Sequence, residues 1–206
     1  LPLREKTLIW HLYQAALAGR DIYYDQKHRD ALEMRGILDQ IAAHPQGIDA
    51  AALGEIQRYT KLFWINNGAY NNLTARKFVL KITPEAFAAA AHASEKAGAT
   101  FATRTGESLD ATLKRLQPMF FDPNVDPIVT SKTPPPGKDI LTASSNNLYA
   151  GGVSMADLKG FTERYGLNAR LVITVRITSL LHHRAHRKSK LKPRLLRHPR
   201  RPPCTV

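Results

Sequence analysis

The stretch FWINNGAYNNLTARKF, Phe63–Phe78, decides how this chain is read. Apolar Leu53, Ile56, Leu62, Phe63 and Ile65 lead into it with the spacing of a buried helix. Asn66-Asn67-Gly68 then stops that helix, because Asn and Gly tolerate the left-handed conformation that closes a helix end. Asn71 and Asn72 follow directly after Tyr70, and Lys77-Phe78 comes soon after. Side-chain amides offer both a donor and an acceptor. Such a loop can grip a peptide backbone, or it can be stapled by its own side-chain hydrogen bonds. Residue chemistry leaves both readings open.

Working outward, 206 residues with 43% hydrophobic content suffice for one large domain or two small ones with a substantial core. No run of about 18 apolar residues is present, so no transmembrane helix and no membrane partner is expected. LPLREKTLIWHLYQ is too polar for the apolar centre of a secretory signal. The sole cysteine is Cys204, which excludes internal disulfides and multi-thiolate zinc sites and suggests a reducing, cytoplasmic setting. The net charge of +13 is unevenly placed. Residues 172–206 hold seven Arg, three Lys and no acid, whereas residues 1–171 set 20 basic against 17 acidic residues, or +3. Basicity therefore belongs to the tail.

Periodicity predicts an amphipathic helix over 3–18, with Leu8, Leu12 and Ala16 on one face and Gly19 as its stop. A second helix is expected over about 26–43, ending at His44-Pro45, and a third over about 49–65. Thr83-Pro84-Glu85 supplies an N-cap, a proline at the first helical position and an acid in the first turn. The alanine-rich helix behind it should close at Gly98. Ser108 caps a fifth helix that ends near Pro118. Residues 118–137 are proline-rich and read as a loop, Ile140–Ala143 as a short strand, and Ser154-Met155-Ala156-Asp157 as a capping box for a sixth helix ending at Tyr165-Gly166. Alternation at Ile173, Val175 and Ile177 predicts one half-buried strand. The expected fold class is α+β and mainly α-helical. The tail, 172–206, reads as disordered, or as translated from a shifted frame.

Residues 3–171 resemble the N-terminal part of the dipeptidyl peptidase III family of zinc metallopeptidases, its bacterial branch most of all. Three segments carry the resemblance. One is Tyr13-Gln14-Ala15-Ala16 with Ala18-Gly19-Arg20-Asp21. Another is Trp64–Phe78, with Asn66, Gly68, Tyr70, Lys77 and Phe78 in the family's places. The last is Leu148–Leu171, with Tyr149, Gly152, Met155, Asp157, Asn168 and Arg170-Leu171. The resemblance implies a two-lobed enzyme that removes dipeptides from the N-termini of peptides, and it puts this piece in the lobe that does not hold zinc. It also implies a cleft wall shaped by Asn66, Gly68, Tyr70, Asn71, Asn72, Lys77 and Phe78. Gly68 and Asn66 would set the turn, Tyr70 and Asn71 or Asn72 would face the cleft, and Lys77 would pair with an acid further along the family's polypeptide. The family's zinc motif is His-Glu-x-x-Gly-His. No His-Glu dipeptide occurs here, so no catalytic residue can be carried over, no zinc is expected on this chain alone, and the remainder of the enzyme would be its partner.

Other chemistry is weakly represented. His182-His183 and His186 have a helical metal-ligand spacing, but no acid lies near them and Arg184, Arg187 and Lys188 repel a cation. The tail could hold nucleic acid non-specifically through phosphates, without aromatics for base stacking. The competing expectation is thus a non-enzymatic helical binding module with a basic, nucleic-acid-binding tail.

Overall fold

The computed structural model describes residues 1–149, 152–159, 170–174 and 177–181. The chain forms two compact units, Leu1–Asn147 and Leu148–Val206. The first is mainly helical: α1 (Leu3–Lys27), α2 (Ala31–Ala43), α3 (Ala50–Asn66), α4 (Pro84–Lys96) and α5 (Leu109–Phe121). The second contains a short α6 (Met155–Leu158) and strands β1 (Arg170–Thr174) and β2 (Ile177–Leu181).

Helix starts follow local chemistry. The side chains of Asp49, Thr83 and Ser108 accept the backbone N–H groups of Ala52, Ala86 and Ala111 at 2.9, 3.2 and 3.2 Å. Each bond satisfies a donor that has no partner inside its helix. Ser154 N–H donates to Asp157 Oδ2 at 2.8 Å, the reciprocal half of the expected capping box.

The first unit's core is aromatic. Tyr24 stacks on Phe63 with centroids 5.7 Å apart, Tyr59 meets Phe78 edge-on at 5.4 Å, and Phe87 lies 4.8 Å from Phe120. Met34, Leu38, Ile41, Ile56 and Leu116 fill the space between, all fully buried. Charge joins the periphery: Arg115 reaches Glu107 through two bonds of 2.8 Å and Glu33 through a third of 2.8 Å. Arg104 holds Glu33 and Asp30 at 2.8 and 3.0 Å. The paired guanidinium keeps the Glu107 carboxyl at about 2.

Five expectations need correction. Helix α1 does not stop at Gly19 but runs to Lys27, so α2 begins at Ala31 rather than near residue 26. A glycine weakens a helix by only about 1 kcal/mol, and here no competing cap stops it. Nor is α1 amphipathic, since its large apolar side chains spread over more than half of its circumference at 100° per residue. Helix α5 passes Pro118 and ends at Phe121, where the Asp122 N–H still reaches the Pro118 carbonyl at 3.1 Å. Residues 140–143 form a turn, not a strand. Asp139 and Thr142 exchange side-chain-to-backbone bonds of 2.8 and 2.9 Å, offering the backbone an alternative to a ladder. The single strand expected around Ile173–Ile177 is an antiparallel pair, with Val172 opposite Ser179. The expected cap at Tyr165-Gly166 and the tail beyond Leu181 lie outside the described residues.

Among the described residues, no helix is long and apolar enough to cross a membrane.

Candidate functional site

Helix α3 ends as its residues dictate. Asn67 takes the left-handed conformation at φ 50°, Gly68 follows at φ 138°, and the Gly68 N–H returns to the Phe63 carbonyl at 2.9 Å. Asn66, itself buried, donates from Nδ2 to the Leu62 carbonyl at 2.8 Å and accepts the Asn72 N–H on Oδ1 at 2.9 Å. One side chain thereby ties the last turn of the helix to the loop it releases.

The loop then folds back on itself. Asn71 N–H donates to the Arg76 carbonyl, Ala75 N–H to the Asn71 carbonyl, and Phe78 N–H to the Ala69 carbonyl, at 2.9, 2.9 and 3.0 Å. Asn71 Oδ1 accepts the N–H groups of both Leu73 and Thr74, at 2.9 and 3.0 Å. The proline-rich segment adds a third layer. Lys77 N–H donates to the Pro127 carbonyl and Val129 N–H to the Ala75 carbonyl, each at 2.9 Å.

Two lysines clamp this structure. From the end of α1, Lys27 Nζ donates to the Asn66 carbonyl and to Asn72 Oδ1, while its aliphatic stem passes Gly68. Lys77 Nζ donates to the carbonyls of Pro118 and Val125. Burial lowers the pKa of both ammonium groups. Beneath them Tyr70 is wholly buried, and its hydroxyl donates to the Asp126 carbonyl at 2.9 Å. Burial pushes that phenol up.

His28 completes the arrangement. The Asp30 N–H points at its Nδ1 at 3.2 Å, so Nδ1 accepts and Nε2 donates to Asp126 Oδ2 at 3.1 Å. That bond holds the Asp126 carboxyl below the ordinary carboxylate range. Asp126 sits at φ 48°, left-handed backbone that an aspartate tolerates better than most residues do.

The residues singled out from sequence therefore come together in one place, in different roles. Asn66, Gly68 and Asn71 shape backbone. Tyr70 is interior and presents no surface. Phe78 packs on Tyr59. Among the described residues, Lys77 Nζ meets the carbonyls of Pro118 and Val125. Of the group only Asn72 is exposed, together with Leu73 and Thr74 at the tip. Lys27, His28 and Asp126 were not singled out as partners of this loop. Asp126 lies in the stretch read as a proline-rich loop, but nothing in sequence joined it to His28, 98 residues away. Among the described residues, no group of three or more His, Cys, Asp or Glu is placed to hold a metal ion. No protein-family model matches this chain, and no curated protein matches it.

Proposed function

We propose that this chain contributes the N-terminal part of the non-zinc lobe of a dipeptidyl peptidase III-like enzyme, with the loop after α3 as a rigid wall beside the peptide. Zinc, its ligands and the water-activating carboxylate come from elsewhere in such an enzyme. What supports this reading is that the helix carrying one resembling stretch is fastened, by its last turns, to the loop that forms another. The opening helix, through Tyr24 and Lys27, packs on Phe63 and bonds to Asn66 and Asn72. Residues some 40 positions apart thereby build one unit. That unit holds the Asn72 amide at the surface, and an immobilised amide binds a peptide backbone with little further loss of conformational freedom.

The test compares this chain with a version extended by the downstream polypeptide of such an enzyme. The extended protein should release dipeptides from a chromogenic dipeptidyl substrate. Its Asn72→Ala variant should raise KM several-fold with little change in kcat, the mark of lost ground-state binding. Stoichiometric zinc uptake and peptide cleavage by the 206-residue chain alone, or unchanged KM in the variant, would overturn the reading.

A further inference from the structure

Helix α1 leaves more apolar surface uncovered than a solitary domain carries. Nine large apolar side chains between Leu3 and Tyr23 are 40–81% exposed. With roughly 200 Å² per such side chain, they present on the order of 1,000 Å². The largest apolar patch of an ordinary monomer is about 300–600 Å². Residues 3–18 are exposed along their whole length, so a second helix has room to lie beside them.

We infer that this surface pairs with a second copy of the chain, α1 against α1, antiparallel about a two-fold axis between Leu12 and Tyr13. One strip on α1 is built for that symmetry. At 100° per residue, Glu5, Ile9, Leu12, Ala16 and Tyr23 share a face, with Tyr13 and Arg20 on its flank. The spacings are four, three, four and seven, the repeat of a helix-pairing seam. Antiparallel superposition places Glu5 opposite Arg20 twice, Ile9 opposite the small Ala16, and Leu12 opposite Tyr13.

A parallel arrangement would set Glu5 against Glu5 and Arg20 against Arg20, and would align the helix dipoles unfavourably. Arg20 has a neighbour of its own in Asp21, at 3.6 Å, and half its side chain stays exposed. Five of the nine large apolar residues, Leu8, Ile9, Leu12, Tyr13 and Tyr23, fall in the half-cylinder centred on this strip. They contribute roughly 600 Å², and Ala16 and the methylenes of Arg20 add to it. A stable interface needs about 800 Å² per partner. Two-fold pairing requires no surface this chain does not already have. The inference stands apart from the peptidase reading, because it concerns residues on the other side of Tyr24 from the asparagine loop.

Sedimentation equilibrium of the full 206-residue chain at tens of micromolar should give a dimer. Glu5→Arg alone, or Arg20→Glu alone, should weaken dimerisation about ten-fold by turning two attractive pairs repulsive. Glu5→Arg with Arg20→Glu should restore it. Residues 5 and 20 lie about 22 Å apart on one helix, so such rescue has no intramolecular route. Far-ultraviolet circular dichroism checks that every variant stays helical. A monomeric wild-type chain would overturn the inference. So would a dimer indifferent to the single reversals, or a loss that the double reversal does not repair. Protection of α1 only on adding other polypeptide would assign the surface to that polypeptide instead.

Discussion

Replacing Asn66 by alanine separates a loop that is part of the fold from one merely attached to it. The buried amide makes two bonds inside the protein, to the Leu62 carbonyl at 2.8 Å and from the Asn72 N–H at 2.9 Å. Each is worth about 1 kcal/mol net, so Asn66→Ala should destabilise the first unit by about 2 kcal/mol. With a urea dependence of about 2 kcal/mol per molar, the unfolding midpoint should fall by about 1 M. Asn71→Ala is the control. Its Oδ1 accepts two N–H groups at the exposed tip, where water can replace it, so its removal should cost about 0.5–1 kcal/mol. Urea titrations followed by tryptophan fluorescence measure both, and amide exchange at Asn72 reports the same contact locally. A loss below about 0.5 kcal/mol for Asn66→Ala, or equal losses for the two variants, would refute the reasoning that one buried amide secures this loop.

Two further outcomes follow from the packing and the charges. The Tyr59 hydroxyl is fully buried with no hydrogen-bond partner among the described residues, so Tyr59→Phe should leave stability unchanged or raise it by up to about 1 kcal/mol, and a loss above that would reveal a partner. His92 lies 2.7 Å from Asp110 and 3.3 Å from Glu95, and these bonds raise its pKa above the ordinary 6.5. A raised native pKa stabilises the fold fully below about 6.5, and that contribution fades as pH climbs through the native value. The melting advantage of wild type over His92→Gln should therefore be present at pH 6 and fade by pH 8.5. Because His92 is partly exposed, it should reach about 1–2 °C, and a pH-independent difference would remove the histidine from the α4–α5 contact.

Sequence disclosed most where one residue type has one local use. Thr83 and Ser108 cap helices because few other residues accept an N–H there, and Asn67-Gly68 turns left-handed because little else can. Gly19 and Pro118 misled because their penalties are small beside tertiary packing: a stacked Tyr24 carries α1 past the first, and a buried Phe120 carries α5 past the second. The asparagine loop was visible as a cluster, yet its division into buried braces and an exposed tip was not. That division depends on Lys27 and Asp126, whose distance in sequence hides their proximity. Tyr70 is the instructive case. An aromatic beside amides reads equally well as a binding surface or as core, and only the carbonyl of Asp126 over its hydroxyl decides.

Leu73 is 95% exposed, yet its own N–H is held by the Asn71 side chain. A fluorophore or spin label introduced there would meet solvent on nearly every side while riding on an anchored backbone. Its motion would therefore report the tumbling of the particle that carries it, giving a gauge of hydrodynamic size that leaves the interior untouched.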